Sequence, residues 1–240
     1  MKRTKKMITF GTSIICMDHI NFQRDIKLAD ELGIDFLHLD VMDGNFVPRY
    51  GLYPEIIKRI SCITDKQMDL HLMVSDPEFA IDQYGDIDNI RYITVHIEEN
   101  EKDILRIVDK IKRIGKKAGI VLNLNTPISA LEELMKNNEI DSVMLMGIHP
   151  GVLVQKSRPE TVKEKAVALT KLCEKYGELD MIQCDGAVTF ETIEALADSG
   201  ITNFVCGSST LYKGVDLNKP WDQNVTTITK NYNRMQELVK

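Results

Sequence analysis

Two imidazoles and two carboxylates stand where they could meet. His38 and Asp40 are two residues apart in Phe-Leu-His-Leu-Asp, a run of strand character, so their side chains leave the same face. Asp185 ends another such run, Met-Ile-Gln-Cys-Asp, and the second imidazole could come from any of His71, His96 and His149, which stand at the ends of similar runs. An unpaired interior carboxylate costs several kcal/mol or takes up a proton, so these aspartates need partners. Together the residues could hold one divalent cation, with positions left open for a ligand's oxygens. The same set could also form a buried ion-pair cluster, Asp40 and Asp185 with protonated histidines. On residue types alone both readings stand.

Four of the five histidines close short apolar runs: His38, His71, His96 in Thr-Val-His-Ile-Glu98, and His149 after Ser-Val-Met-Leu-Met146. His19 follows the first such run and reads as a surface or capping residue. Glycine-bearing loops follow the last three runs: His149-Pro-Gly151 through Gln155, Asp185-Gly-Ala187, and Cys206-Gly-Ser-Ser-Thr210. Backbone amides freed by small residues beside a helix start form an anion site, so these loops point to a phosphorylated ligand.

Residues this far apart meet only if the elements carry them together. Short β-branched runs lie near 8–15, 35–41, 67–73, 90–96, 118–123, 141–146, 180–184 and 202–206. Segments of helical period alternate with them, near 21–32, 53–60, 77–84, 101–114, 128–136, 159–176, 189–199 and 221–237. Asp76-Pro77-Glu78, Thr126-Pro127 and Thr189 mark helix starts, and Gly33, Gly115, Gly177 and Gly200 fall where helices should stop. Unbroken strand–helix alternation implies a parallel sheet. Eight units of about 30 residues use up the chain, and no G-x-G-x-x-G follows the first run. The α/β class is therefore expected, as a single (β/α)8 TIM barrel over residues 1–240 working at the C-terminal rim of its strands.

Composition agrees with one soluble globular unit. Apolar residues make up 43% of the 240, and no run approaches a bilayer-spanning length. Lys and Arg number 30 against 36 Asp and Glu, net −6, which leaves no basic stripe for nucleic acid or an anionic membrane. The start, Met1 to Lys6, is basic, but no signal-peptide core follows it, so 1–6 reads as a solvated tail. Five cysteines (16, 62, 173, 184 and 206) without a C-x-x-C pair argue against disulfides or a zinc knuckle, and a cytoplasmic location is expected.

Read in order, these residues resemble the ribulose-phosphate 3-epimerase family over the whole chain. The resemblance is carried by Ser13-Ile14, by His38-Leu-Asp-Val-Met-Asp-Gly-Asn-Phe-Val-Pro48, and by Asp69-Leu-His-Leu-Met-Val74. It continues through His96-Ile-Glu98, Leu122-Asn-Leu-Asn-Thr-Pro127, Met146 with His149-Pro-Gly151, Asp185-Gly186 and Phe204-Val-Cys-Gly-Ser208. It implies a metal-dependent 3-epimerase of a ketose phosphate, of the ribulose 5-phosphate to xylulose 5-phosphate type, and commonly a homo-oligomer (dimer or hexamer). By the same carry-over His38, Asp40, His71 and Asp185 would ligate one divalent ion (Zn, Fe or Mn). Asp40 and Asp185 would be the acid–base pair, exchanging a proton across the two faces of an enediolate. Ser13 and His71 would contact the sugar. Gly151, Gly186 with Ala187, and Gly207 with Ser208 would hold the phosphate. Met42, Met73 and Met146 sit where the family packs thioethers around the intermediate, or are core filler.

The chain also departs from the family's usual pattern. Gly151-Val-Leu-Val-Gln155 stands where Gly-Phe-Gly-Gly-Gln is usual, and Asp185-Gly-Ala187 where Asp-Gly-Gly is usual. His149 replaces an acidic residue or Asn, and Gly147 a threonine. None touches the four expected ligands, so the reaction type is expected to stand while the sugar stays open. Allulose 6-phosphate, a ketohexose 6-phosphate, is the alternative substrate. A decarboxylase or aldolase on a related barrel would need a lysine in the Asp40-Val-Met-Asp43 signature, which has none. A non-catalytic sugar-phosphate-binding barrel is the remaining reading.

Overall fold

A computed structural model of the chain describes residues 7–98, 102–152 and 155–240. The basic tail read at 1–6, and Leu153 and Val154 of the altered loop, lie outside the described residues. Eight strands run β1 Thr9–Ser13, β2 Phe36–Met42, β3 Met68–Met73, β4 Ile90–His96, β5 Lys117–Leu122, β6 Ser142–Met146, β7 Met181–Asp185 and β8 Asn203–Cys206. Each pairs in parallel with the next, and β1 pairs with β8, so the sheet closes into the expected barrel. The α-helices are α1 Phe22–Leu32, α2 Pro54–Ser61, α3 Pro77–Tyr84, α4 Ile104–Arg113, α5 Glu132–Lys136, α6 Pro159–Tyr176, α7 Ile193–Asp198 and α8 Trp221–Glu237. No helix among the described residues is long and apolar enough to cross a membrane.

Local signals act where the sequence puts them. The Asp76 side chain accepts the Phe79 amide at 3.0 Å with Pro77 in the first turn of α3. Gly33, Gly115, Gly177 and Gly200 follow their helices at positive φ. Several elements are shorter than the pattern suggested, among them α7, which begins at Ile193 and not at Thr189. β1 stops at Ser13 and a 3-10 turn, Ile14–Cys16, follows. The segment from 128 begins as a 3-10 turn, Ile128–Leu131, before the α-helical turn of α5.

Alternation along the strands separates two interiors. Leu37, Leu39, Leu70, Leu72, Ile93 and Val95 join the helix faces, including Ile26, Ile57, Ile81 and Ile107, in one apolar layer around the barrel. The residues between them point inward, and register stacks them in tiers. His38 lies beside Asp69, and one step nearer the rim Asp40 lies beside His71. Across the barrel Asp185 lies beside Met146.

The loop after β2 folds back onto its own strand. Leu52 donates to the Asp40 carbonyl at 2.9 Å and Gly51 to that of Met42 at 3.0 Å. A Cβ at Gly51 would lie 2.4 Å from the Asp40 carbonyl oxygen, so only glycine permits this approach. The fold-back braces the strand end that carries Asp40.

Candidate metal centre and ligand cavity

His38 and Asp40 from β2, His71 from β3 and Asp185 from β7 each offer a donor atom within 4.8 Å of the others. His38 Nε2 is 3.2 Å and His71 Nδ1 3.3 Å from Asp40 Oδ1. The same nitrogens are 4.0 and 3.8 Å from Asp185 Oδ2. Bonds of about 2.1 Å to a common centre give ligand edges of about 3.0–3.4 Å, so a small inward movement of Asp185 would close the set. Two imidazole nitrogens and two carboxylate oxygens suit zinc, iron or manganese. The residues fit a divalent ion.

The far side of each imidazole is also engaged. His38 Nδ1 is 3.0 Å from Asp69 Oδ2, which accepts a second hydrogen bond from Gln183 Nε2 at 2.5 Å. His71 Nε2 meets His96 Nε2 at 2.9 Å, and His96 Nδ1 meets Glu98 Oε2 at 3.2 Å. Asp40 Oδ2 accepts from the Ser13 hydroxyl at 3.0 Å. The sequence reading gave Asp69 and Gln183 no role. Yet each stands two residues before an expected ligand, His71 or Asp185, and so on the same strand face.

The charges of the two aspartates are driven apart. Burial alone would raise Asp40, but the charge and hydrogen bond of His38, with the hydrogen bond of His71, hold it well below the usual carboxylate range. Burial and the charge on Asp40 push Asp185 up to about 7. Burial pulls against a charged His38, yet Asp69 and Asp40 outweigh it and raise that imidazole well above its ordinary value. His71 is pulled down by burial. In the metal-free chain these shifts favour a His38 imidazolium paired with Asp40, so one set of residues suits both an ion-pair cluster and a divalent ion.

Above this cluster opens a cavity of 510 Å³. Asp40 and Asp185 are on its wall, while His38 and His71 lie fully buried behind them. Ser13, Met42, Met73, Met146, Gly151, Gly186, Ala187, Gly207 and Ser208, all singled out in the sequence, also line it. Arg49 is the one cationic side chain among the lining residues, and no loop pattern had pointed to it. His149 is exposed, whereas His38, His71 and His96 are buried, and none of the four is on the wall itself. The His149 backbone is clamped by Gln155, whose carboxamide oxygen accepts the His149 amide at 2.7 Å while its nitrogen donates to the His149 carbonyl at 2.6 Å. His19 is exposed and stacks on Phe22, and all five cysteines are free thiols.

Residues 9–211 match the sequence model of the ribulose-phosphate 3 epimerase family. Ribulose-phosphate 3-epimerase of Synechocystis sp. is 35% identical over 205 residues, covering 85% of this chain and 87% of that protein. The enzyme of the same name from Methanocaldococcus jannaschii is 34% identical over 203 residues, covering 85% and 84%. The chain belongs to the ribulose-phosphate 3-epimerase family. It is thus an isomerase of the carbohydrate-epimerase kind. Among solved structures, a tryptophan synthase α-subunit from Pyrococcus furiosus superposes with a TM-score of 0.66 at 13% identity, covering 99% of this chain and 100% of its own, which shows the barrel fold alone.

Two of the chain's departures from the family's usual residues prove to be neighbours. A Cβ at Gly147 would lie 2.5 Å from the Ala187 methyl and 2.5 Å from the Gly186 carbonyl oxygen. Ala187 occupies the left-handed region at φ 57°, which ordinarily favours glycine. The methyl gained at 187 fills the space given up at 147, and the backbone of the loop keeps a glycine-like conformation. Gly147→Thr is expected to destabilise the protein by about 1–3 kcal/mol through overpacking. Adding Ala187→Gly should recover part of that loss, with a coupling of about 0.5–3 kcal/mol in a double-mutant thermal-unfolding cycle.

Metal binding should register as stability. At a hundred times its Kd a divalent ion adds about 2.7 kcal/mol, seen as a rise in Tm that Asp185→Asn largely removes. Asp185 and His38 must shed protons to become ligands, so affinity should increase as pH rises through about 7. Calorimetry in buffers of different ionisation enthalpy would report the released protons, and a pH-independent affinity would contradict the assignment.

Proposed function

We propose that the chain is a metal-dependent 3-epimerase of a ketose phosphate, acting on ribulose 5-phosphate or a close relative by two-base proton transfer. The observation that carries this reading is the pair of carboxylates from β2 and β7, both opening on one cavity, whose surroundings lower the pKa of Asp40 and raise that of Asp185. When bound, a divalent ion supplies Lewis-acid neutralisation of the charge that develops on the ketone oxygen. Inversion at C3 needs a proton removed from one face of a planar enediolate and returned to the other, which a single base cannot do. Asp40, ionised, takes the C3 proton. Asp185, carrying its own, delivers one from the opposite side, and the roles exchange in the reverse direction. Ser13, donating to Asp40 Oδ2, keeps that carboxylate oriented and reaches the sugar from the same wall. Met42, Met73 and Met146 give the intermediate apolar walls that exclude water.

The phosphate would lie against the loops at Gly151, Gly186–Ala187 and Gly207–Ser208. Arg49 supplies a full positive charge on the same cavity, and its guanidinium has no ion pair among the described residues. Five free thiols suit the reducing cytoplasm. A ketohexose 6-phosphate such as allulose 6-phosphate is the second reading, favoured by the exchange of side-chain volume between Gly147 and Ala187 beside the expected phosphate loops. A non-catalytic barrel would have no need to keep all four donors converged with their far sides hydrogen-bonded.

Purified protein should exchange solvent deuterium into C3 of one member of a panel of C5 and C6 ketose phosphates, and lose this on chelation. Asp185→Asn should abolish both exchange and epimerisation with Tm and circular dichroism retained. Turnover near wild type would show that another group carries the proton. Arg49→Gln should raise KM for the preferred substrate about tenfold with little change in kcat, the scale of one charged hydrogen bond. An unchanged KM would remove Arg49 from phosphate recognition.

A further inference from the structure

The chain from His71 runs on through His96 to Glu98, neither of which touches the cavity. We propose that Glu98, acting through His96, is a positioning residue that sets the tautomer of His71, so that a bare Nδ1 faces the metal centre. The inference rests on the metal-site reading above.

The argument is one of donors and acceptors. His71 Nδ1 faces Asp40 Oδ1 at 3.3 Å and Asp185 Oδ2 at 3.8 Å, so this nitrogen would be the ligand and must carry no proton. Its other nitrogen is 2.9 Å from His96 Nε2, and of two imidazole nitrogens at that distance one donates and the other accepts. Two arrangements satisfy the pair. In one, His71 donates from Nε2 and Nδ1 is free to bind metal. In the other, His96 donates, His71 carries its proton on Nδ1, and the ligand position is blocked.

Asp40 Oδ1, an acceptor facing Nδ1, pulls toward the second, and Glu98 pulls toward the first. Its carboxylate only accepts, so the proton of His96 must lie on Nδ1, 3.2 Å from Oε2, which leaves His96 Nε2 as an acceptor. The carboxylate is itself held in place. Oε1 accepts from the Asn123 amide at 2.6 Å and from the Thr126 hydroxyl, and Lys165 Nζ donates to the Asn123 carbonyl at 2.5 Å. His96 is fixed as well, with Phe46 packed on its ring at a centroid distance of 4.8 Å and His71 stacked at 5.1 Å. His38 obtains the same service in one step, from Asp69. Glu98 does it for His71 at one remove.

Glu98→Gln separates this role from a packing role. The Asn123 amide and Thr126 hydroxyl both require an acceptor at the Oε1 position, so the glutamine oxygen would stay there and its NH2 would face His96 Nδ1. The relay then reverses, placing a proton on His71 Nδ1. Zinc and manganese affinities, measured by calorimetry against a competing chelator, should fall about 10–100-fold in Glu98→Gln. Glu98→Ala, which imposes no tautomer, should lose less. In the metal-free proteins Asp40 Oδ1 draws the His71 proton toward Nδ1 and the Glu98 relay draws it toward Nε2, so nitrogen-15 spectra should show a larger Nε2-protonated fraction of His71 in wild type than in Glu98→Gln. Equal metal affinity and an unchanged His71 tautomer in Glu98→Gln would overturn the proposal, as would a larger loss in Glu98→Ala. If wild type itself binds neither ion, the metal-site reading fails instead.

Discussion

Two carboxylates, Asp40 and Asp185, are buried within reach of the same atoms at one end of a barrel, and they cannot both be ionised there without a cation between them. Everything nearby is arranged around that conflict. In the metal-free chain Asp69 and Asp40 favour a charged His38 between them, and burial beside Asp40 favours a proton on Asp185. A divalent ion would take over the same task, with both protons leaving.

The barrel makes this arrangement possible because its inside is a wall of polar side chains with an apolar layer behind it. Leu37, Leu39, Leu70 and Leu72 hold β2 and β3 against the helices, which leaves the alternate positions free to carry imidazoles and carboxylates. Tiering by register gives each ligand a partner one step deeper or one strand over. Asp69 with Gln183 serves His38, and His96 with Glu98 serves His71. Such partners fix ring orientation and proton position before any ligand arrives.

The rim tolerates change where the tiers below do not. Gly147 and Ala187 depart together from the family's usual residues, and they do so in contact, so the loop after β7 keeps its left-handed turn while the cavity's relief shifts. The turn after β6 is likewise held by the Gln155 carboxamide clasping His149. Such exchanges reshape the cavity at its loops and leave the Asp40 and Asp185 carboxylates on its wall in place.

Strand–helix alternation, the barrel and the four converging ligands were legible in the sequence, because periodicity and same-face spacing are local properties that burial then enforces. His38 and Asp40 share a face by arithmetic, and the same step of two would have found Asp69, Gln183 and Glu98. Which histidines meet was not legible. His96 is the last residue of β4 and is stacked inside the barrel, whereas His149 lies three residues past the end of β6 and is exposed, a difference that only the strand ends of the closed sheet decide. Nor could spacing show that Gly147 and Ala187 touch, that Arg49 reaches the cavity, or that the pKa values of Asp40 and Asp185 are shifted in opposite directions. Those depend on distances across the barrel, and through-space proximity in a low-dielectric interior is a property of the tertiary structure alone.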